Sequence, residues 1–379
     1  METQKRDCMN IQENPFTPSF GEAPLVMAGR EKNLRTYAQA VERRNRAPEL
    51  TTLVSGARGS GKTSLLLRMA EQAERHGWVT VRSTCLPGLL EDIYVQALNA
   101  ARNVLDTTSG RRLTSIGLGS IVSLGWEPQD GVSSTWRTKM TDILEALAKH
   151  GTGLVITVDE VRPNEEEMVR LASTYQHFVG EGRRVSLLMA GLPFNISSLL
   201  QDKTVSFLRR APRLRIGSVA DYEVELAVRK TIRAGGRTIQ DEALELAVEA
   251  IGGLPFMLQL VGYRSWEVNP QEQEITAEDV REGVRIARAE LRDQVLDSTY
   301  RELSDGDIAF LLAMLGENKD VPVAEIARRM GKSSGYVNSY RRRMLELGVI
   351  DERRRGVVGF DLPGFAEYLA ERASEEGLL

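Results

Sequence analysis

The chain holds little of what staples or coordinates. Two cysteines stand among 379 residues, Cys8 and Cys85, and neither lies in a C-x-x-C pair or a Cys/His cluster, so a disulfide scaffold and a zinc module both drop out. Net charge is nearly absent as well: 53 acidic against 49 basic residues leave −4. A protein that coats nucleic acid through bulk positive charge is excluded, and any nucleic-acid site must be local. No apolar run approaches the 18 residues of a membrane span, and the opening METQKRDCMNIQENP has no apolar signal-peptide region, so the expected location is the cytoplasm, with no membrane partner. What is present is a hydrophobic content of 42%, enough for packed cores, in a length that suggests two or three domains.

Patterning divides the chain into a polar tail (1–24), a first domain (25–217), a helical domain (218–295) and a C-terminal module (296–379). Leu25–Ala47 has a helical pattern; Leu50–Ser55 is a short β-prone run ending in glycines. Thr63–His76 puts its leucines, Met69 and two alanines largely on one helical stripe, and Trp78–Ser83 reads as a strand. Helical segments at Leu89–Leu105, Lys139–His150 and Glu165–Phe178 alternate with the apolar runs Leu154–Val158 and Val185–Ala190. Strands that are apolar throughout and alternate with helices predict an α/β fold with a parallel sheet covered on both faces. Arg111–Ser134 reads as a hairpin-like insertion, and Asp221–Arg292 is helix-patterned except at Gly252–Pro255.

Gly56-Ala57-Arg58-Gly59-Ser60-Gly61-Lys62-Thr63 fits G-x-x-x-x-G-K-[ST] and lies between a strand and a helix, where a phosphate loop works. The glycines let successive N–H groups turn inward at a helix N-terminus, whose dipole also favours phosphate. Lys62 would reach the β- and γ-phosphates of ATP, and the Thr63 hydroxyl, beside Ser64, would ligand Mg²⁺. About a hundred residues on, Leu154–Val158 ends in Asp159-Glu160. Asp159 is expected to hold the magnesium and Glu160 to deprotonate the attacking water.

With these residues in place the chain resembles the AAA+ ATPases, in particular the initiator-type group that includes archaeal origin-recognition proteins, and the related STAND signalling ATPases. The resemblance implies a P-loop NTPase core, a helical lid and a C-terminal winged helix-turn-helix. Gly29 and Arg30 look like the Gly-Arg-Glu box that lies near the adenine. Phe207–Ala211 is similar to the segment that presents an arginine in trans to a neighbour's nucleotide, which makes Arg210, then Arg209, the candidate finger of a nucleotide-dependent homo-oligomer; a solvated basic patch is the alternative. Two places depart from the family. The fourth core strand ends without the usual polar residue, Asn195 being the nearest and displaced, and the lid has Gly252-Gly253-Leu254-Pro255 in place of an arginine motif. Pro255 matches the Gly-x-Pro element of STAND proteins, and the missing lid arginine implies slow, regulatory turnover.

The C-terminal module reads as helices over Ser304–Asn318, Val323–Met330 and about Gly335–Leu347, with Gly331–Ser334 as the turn of a helix-turn-helix. Val337, Tyr340, Met344 and Leu347 share a stripe on the third helix, leaving Ser334, Tyr336, Asn338, Arg341 and Arg342 outward, with Lys332 in the turn. Val349–Phe360 alternates like a two-stranded wing with Arg353, Arg354 and Arg355 at its tip. Val321–Val357 carries nine basic residues against four acidic ones, a local reversal of the chain's charge that marks a face for double-stranded DNA. The leading expectation is therefore an ATP-controlled, replication-initiator-like DNA-binding switch. The alternatives are a STAND-type signalling or defence ATPase whose winged helix is autoinhibitory, and a transposition helper; a metabolic kinase lacks a candidate acceptor pocket.

Overall fold

The computed structural model describes residues 13–378 apart from residues 20, 44–46, 110–134, 163–164 and 317–318. The insertion read at Arg111–Ser134 thus lies outside the described residues, as does Cys8. The chain forms two compact units: residues 32–55 with 65–215, and residues up to 31 with 56–64 and 216–379.

The first unit is built on a five-stranded sheet in the order β2-β3-β4-β1-β5: β1 Thr51–Ser55, β2 Val79–Thr84, β3 Leu154–Asp159, β4 Val185–Gly191 and β5 Arg213–Arg215. All four pairings are parallel, with Leu154 opposite Val185 and Thr51 opposite Leu187. Every residue of β4 is buried, as a strand covered on both faces requires. Helices α1 (Glu31–Arg43), α2 (Lys62–Arg75), α3 (Leu89–Ser109), α4 (Trp136–Lys149), α5 (Glu166–Gly180) and α6 (Pro193–Leu199) connect the strands. Helix α1 is shorter than the pattern over Leu25–Ala47 predicts, because Gly29 at φ 66° breaks the helix on its N-terminal side. Met140, Leu144, Leu171, Tyr175 and Phe178 pack with the strand residues Val81, Ile156, Val158 and Leu187 into one core.

The second unit contains a helical domain of α7 (Asp221–Ala234), α8 (Asp241–Ile251), α9 (Pro255–Val268) and α10 (Ala277–Leu291). Gly252 and Gly253, at φ 55° and 73°, terminate α8; a Cβ on Gly253 would come within 2.5 Å of the Val219 carbonyl. Pro255 then opens α9 at a position that has no N–H to lose. Thr276 and Asp279 form a capping box on α10. The N-terminal stretch is anchored here: Phe16 is buried against Gly262, and the Asn14 side chain donates to Glu267 at 2.7 Å and to the Tyr263 carbonyl at 3.2 Å.

In the C-terminal module α11 (Asp305–Leu312) starts on a Ser304/Asp307 capping box and is shorter than the reading over Ser304–Asn318. Helix α12 (Val323–Met330) ends on left-handed Gly331, and α13 (Ser334–Leu347) begins at the Ser333 cap. The wing strands β6 (Ile350–Arg354) and β7 (Val357–Phe360) are joined by a third strand over Asp320–Pro322, in antiparallel register with Val357–Gly359. The sequence reading missed that strand because three residues are too few to show alternation. Helix α14 (Phe365–Glu375) closes the module.

Candidate functional site

The loop between β1 and α2 is shaped by two left-handed glycines, Gly59 at φ 74° and Gly61 at φ 85°. Gly56 is buried so tightly that a Cβ would stand 2.4 Å from the Ile216 carbonyl. Lys62 Nζ folds over the loop, donating to the carbonyls of Gly56 at 2.9 Å and Ala57 at 2.7 Å, and Ser60 Oγ donates to Ala57 O at 2.8 Å. Among the described residues the N–H groups of Gly59 and Gly61 have no acceptor. Unpaired N–H donors ahead of a helix N-terminus, with an ammonium over them, are a donor set that fits a polyphosphate. The side chains of Arg58 and Thr63 stand exposed at this loop.

The loop borders a cavity of about 240 Å³. Its other walls are Thr17–Ser19, Gly21, Glu22, Pro24, Val26–Ala28 and Arg30 on one side, and Pro255, Phe256, Leu258 and Gln259 of α9 on the other. The Phe256 N–H donates to the Gly59 carbonyl at 3.2 Å, tying α9 to the loop. Arg30 donates to the Gly217 carbonyl at 2.6 Å, and burial holds its pKa below the ordinary arginine value against the opposing charge of Glu223. Gly29 packs near Glu223 and Val219, with no room for a Cβ. The expected residues Gly56–Ser64, Arg30 and Pro255 thus share one unit and, except for the first three of the loop, line one cavity. Sequence reasoning missed Thr17, Val26, Met27 and Gln259. Only Gln259 carried a signal, as the lone amide in the buried run Met257–Val261.

In the other unit Asp159 ends β3 and Glu160 follows, exposed. Asp159 Oδ1 accepts the Glu160 N–H at 2.8 Å. Glu160 has φ 53°, the single positive φ among the described residues that is not at a glycine. A left-handed glutamate costs roughly 1–3 kcal/mol, and such residues gather at sites where geometry matters more than local comfort. Asn195 stands on α6 with its Oδ1 buried and unpartnered. Arg209 and Arg210 are both exposed; Arg209 Nε donates to the Leu200 carbonyl at 2.8 Å, whereas Arg210 makes no side-chain bond among the described residues.

The winged module spends most of its positive charge on itself. Arg328 and Arg329 both grip Glu325, at 2.6 Å and 2.8 Å, and pull its carboxyl down to about 2. Arg341 pairs with Glu352 at 2.6 Å, Arg342 with Glu346 at 3.0 Å and Arg343 with Asp307 at 3.1 Å. Arg353 sits among Asp320, Asp351 and Asp361 and donates to the Phe360 carbonyl at 2.6 Å. Lys332, Arg354 and Arg355 have no acidic partner among the described residues; Lys332 lies 5.5 Å over the Tyr336 ring, whose hydroxyl accepts from Tyr340. Ser334, Tyr336, Asn338 and Arg342 are exposed, whereas Arg341 is half-buried. On the inner stripe Val337 and Met344 are buried, joined by Leu345, while Tyr340 and Leu347 are only half-buried. Burial and the neighbouring Asp351 raise the Asp361 carboxyl, opposed by Arg353.

This is the fold of an AAA+ P-loop core followed by a mostly helical C-terminal region, and the comparisons with known proteins agree. Residues 26–179 match the AAA ATPase domain. Residues 293–369 match a family described as a domain of unknown function, DUF8462. Among curated proteins none matches. The solved ORC2 protein of Aeropyrum pernix, as its ADPNP-ADP complexes, aligns with a TM-score of 0.61 at 14% identity, covering 94% of this chain and 96% of that one. Its ADP form gives 0.56 at 14% identity, with 95% and 97% covered. A Walker-type ATPase of Pyrococcus abyssi gives 0.61 at 14% identity, with 91% and 96% covered. Identities this low speak for the fold: a parallel five-stranded AAA+ core followed by a mostly helical C-terminal region.

Proposed function

We propose that this chain is an ATP-binding, slowly hydrolysing AAA+ switch that holds double-stranded DNA through its C-terminal winged helix, in the manner of a replication initiator. The observation that carries the nucleotide part is the set of unpaired N–H donors at Gly59 and Gly61, capped by Lys62, at the edge of a cavity of about 240 Å³. In this reading the loop and Lys62 grip the β- and γ-phosphates, and Thr63 and Asp159 are the magnesium ligands. Magnesium, when bound, neutralises charge on the phosphate oxygens. Glu160 takes the proton from the attacking water, and Arg210 serves a neighbouring copy in a homo-oligomer, a role its exposed, unpartnered guanidinium supports.

A test separates binding from turnover. Glu160→Gln is expected to keep Mg-ATP affinity within about threefold while hydrolysis falls at least about a hundredfold. Hydrolysis at the parental rate in this variant would remove Glu160 as the base.

A second reading has an observation of its own. The internal pairing of six of the nine basic residues of the module favours a STAND-type switch in which the winged helix restrains the nucleotide site. No measurable affinity for duplex DNA at low salt, together with ADP retained through purification, would select it over the initiator reading.

A further inference from the structure

Gln259 is 8% exposed, in a run where Met257, Leu258, Leu260 and Val261 are also buried. An amide is placed in such a run only where both its ends have a use, since a buried polar group without a partner is costly. One end is settled: the Thr17 N–H donates to Gln259 Oε1 at 3.0 Å, and because that partner is a donor the amide must turn its oxygen toward it. The Nε2 group is then directed elsewhere. It has no hydrogen-bond partner among the described residues, and it is not sealed from open space, in contrast to Thr17 Oγ1 beside it, which is buried and unpartnered. Gln259 lines the same cavity as Gly61 and Lys62, whose remaining walls include the apolar side chains of Val26, Met27, Phe256 and Leu258.

We infer that Gln259 reads the nucleobase of the bound nucleotide, donating through Nε2 to a ring nitrogen of a purine held between these apolar walls. The inference rests on the triphosphate reading of Gly56–Thr63. A purine has unprotonated ring nitrogens able to accept such a bond, and the Thr17 N–H fixes the amide so that it can only donate there. Gln259 is thus a specificity residue and Thr17 its positioning partner.

The test compares Mg-ATP with magnesium tripolyphosphate, which keeps the phosphates and lacks the base, by calorimetry on the full chain. Gln259→Glu keeps an acceptor for the Thr17 N–H but turns a second acceptor to the base. The wild type should bind ATP more tightly than tripolyphosphate, and Gln259→Glu should lose roughly tenfold or more in ATP affinity with tripolyphosphate unchanged. Gln259→Leu should show the same split. An ATP affinity equal to the wild type in Gln259→Glu overturns the inference, and so does an equal loss for both ligands, which would make the residue a mere support for the N-terminal segment. Wild-type protein that binds tripolyphosphate as tightly as ATP overturns base reading alone; wild-type protein that binds neither overturns the triphosphate reading with it.

Discussion

The phosphate loop and the winged module both looked like charged binding sites in the sequence, and they differ in what they leave unspent. At the loop the polar groups are short of partners: N–H donors of Gly59 and Gly61 point to no acceptor, and the Gln259 amide nitrogen beyond them is open. In the winged module nearly every guanidinium already has a carboxylate. A count of charges treats the two alike. The bookkeeping of hydrogen bonds does not, and it is the better guide to where a ligand is missing, because a group already paired must break one bond to make another.

Three changes would break or sharpen that contrast. The largest effect is expected at Arg353, which the sequence placed on the DNA face and the structure places among Asp320, Asp351 and Asp361. Arg353→Ala would remove the cation shared by Asp320, Asp351 and Asp361 together with its bond to the Phe360 carbonyl, and should destabilise the module by about 2 kcal/mol in urea unfolding. A change within experimental error would return Arg353 to the surface. Next, Lys332→Ala with Arg354→Ala and Arg355→Ala should weaken duplex binding in an anisotropy titration and lower the salt slope by about 2–3, one ion release per lost phosphate contact. An unchanged slope would show that DNA, if bound, is held elsewhere. The smallest effect belongs to Arg342→Ala, whose exposed pair with Glu346 contributes about 0.3–0.5 kcal/mol, so DNA affinity and stability should both stay near the parental values. A large loss of affinity there would mean that paired arginines are exchanged onto phosphate after all.

Much of this was legible in the sequence, for local reasons. The loop at Gly56–Thr63 has a fixed spacing set by backbone geometry, the strands β3 and β4 are mostly apolar and buried along nearly their whole length, and Ser304 with Asp307 announces a cap three residues apart. What stayed hidden depends on distant contacts. Phe16 and Thr17 read as polar tail because their partners, Gly262 and Gln259, lie more than 240 residues on. Arg353 read as a tip arginine because the aspartates around it come from three separate stretches. The left-handed backbone of Glu160 had no signal at all, since nothing in the residue type asks for it.

The account stands on the loop at Gly56–Thr63 being a cradle for the triphosphate, and the most direct measurement is calorimetric titration of Mg-ATP into the wild type and Lys62→Ala at equal folded fraction. The wild type should bind, and removal of the ammonium that lies over the Gly56 and Ala57 carbonyls should weaken ATP at least about a hundredfold, the scale of a buried charge-assisted contact. Equal affinity in the two proteins would place the nucleotide somewhere other than this loop.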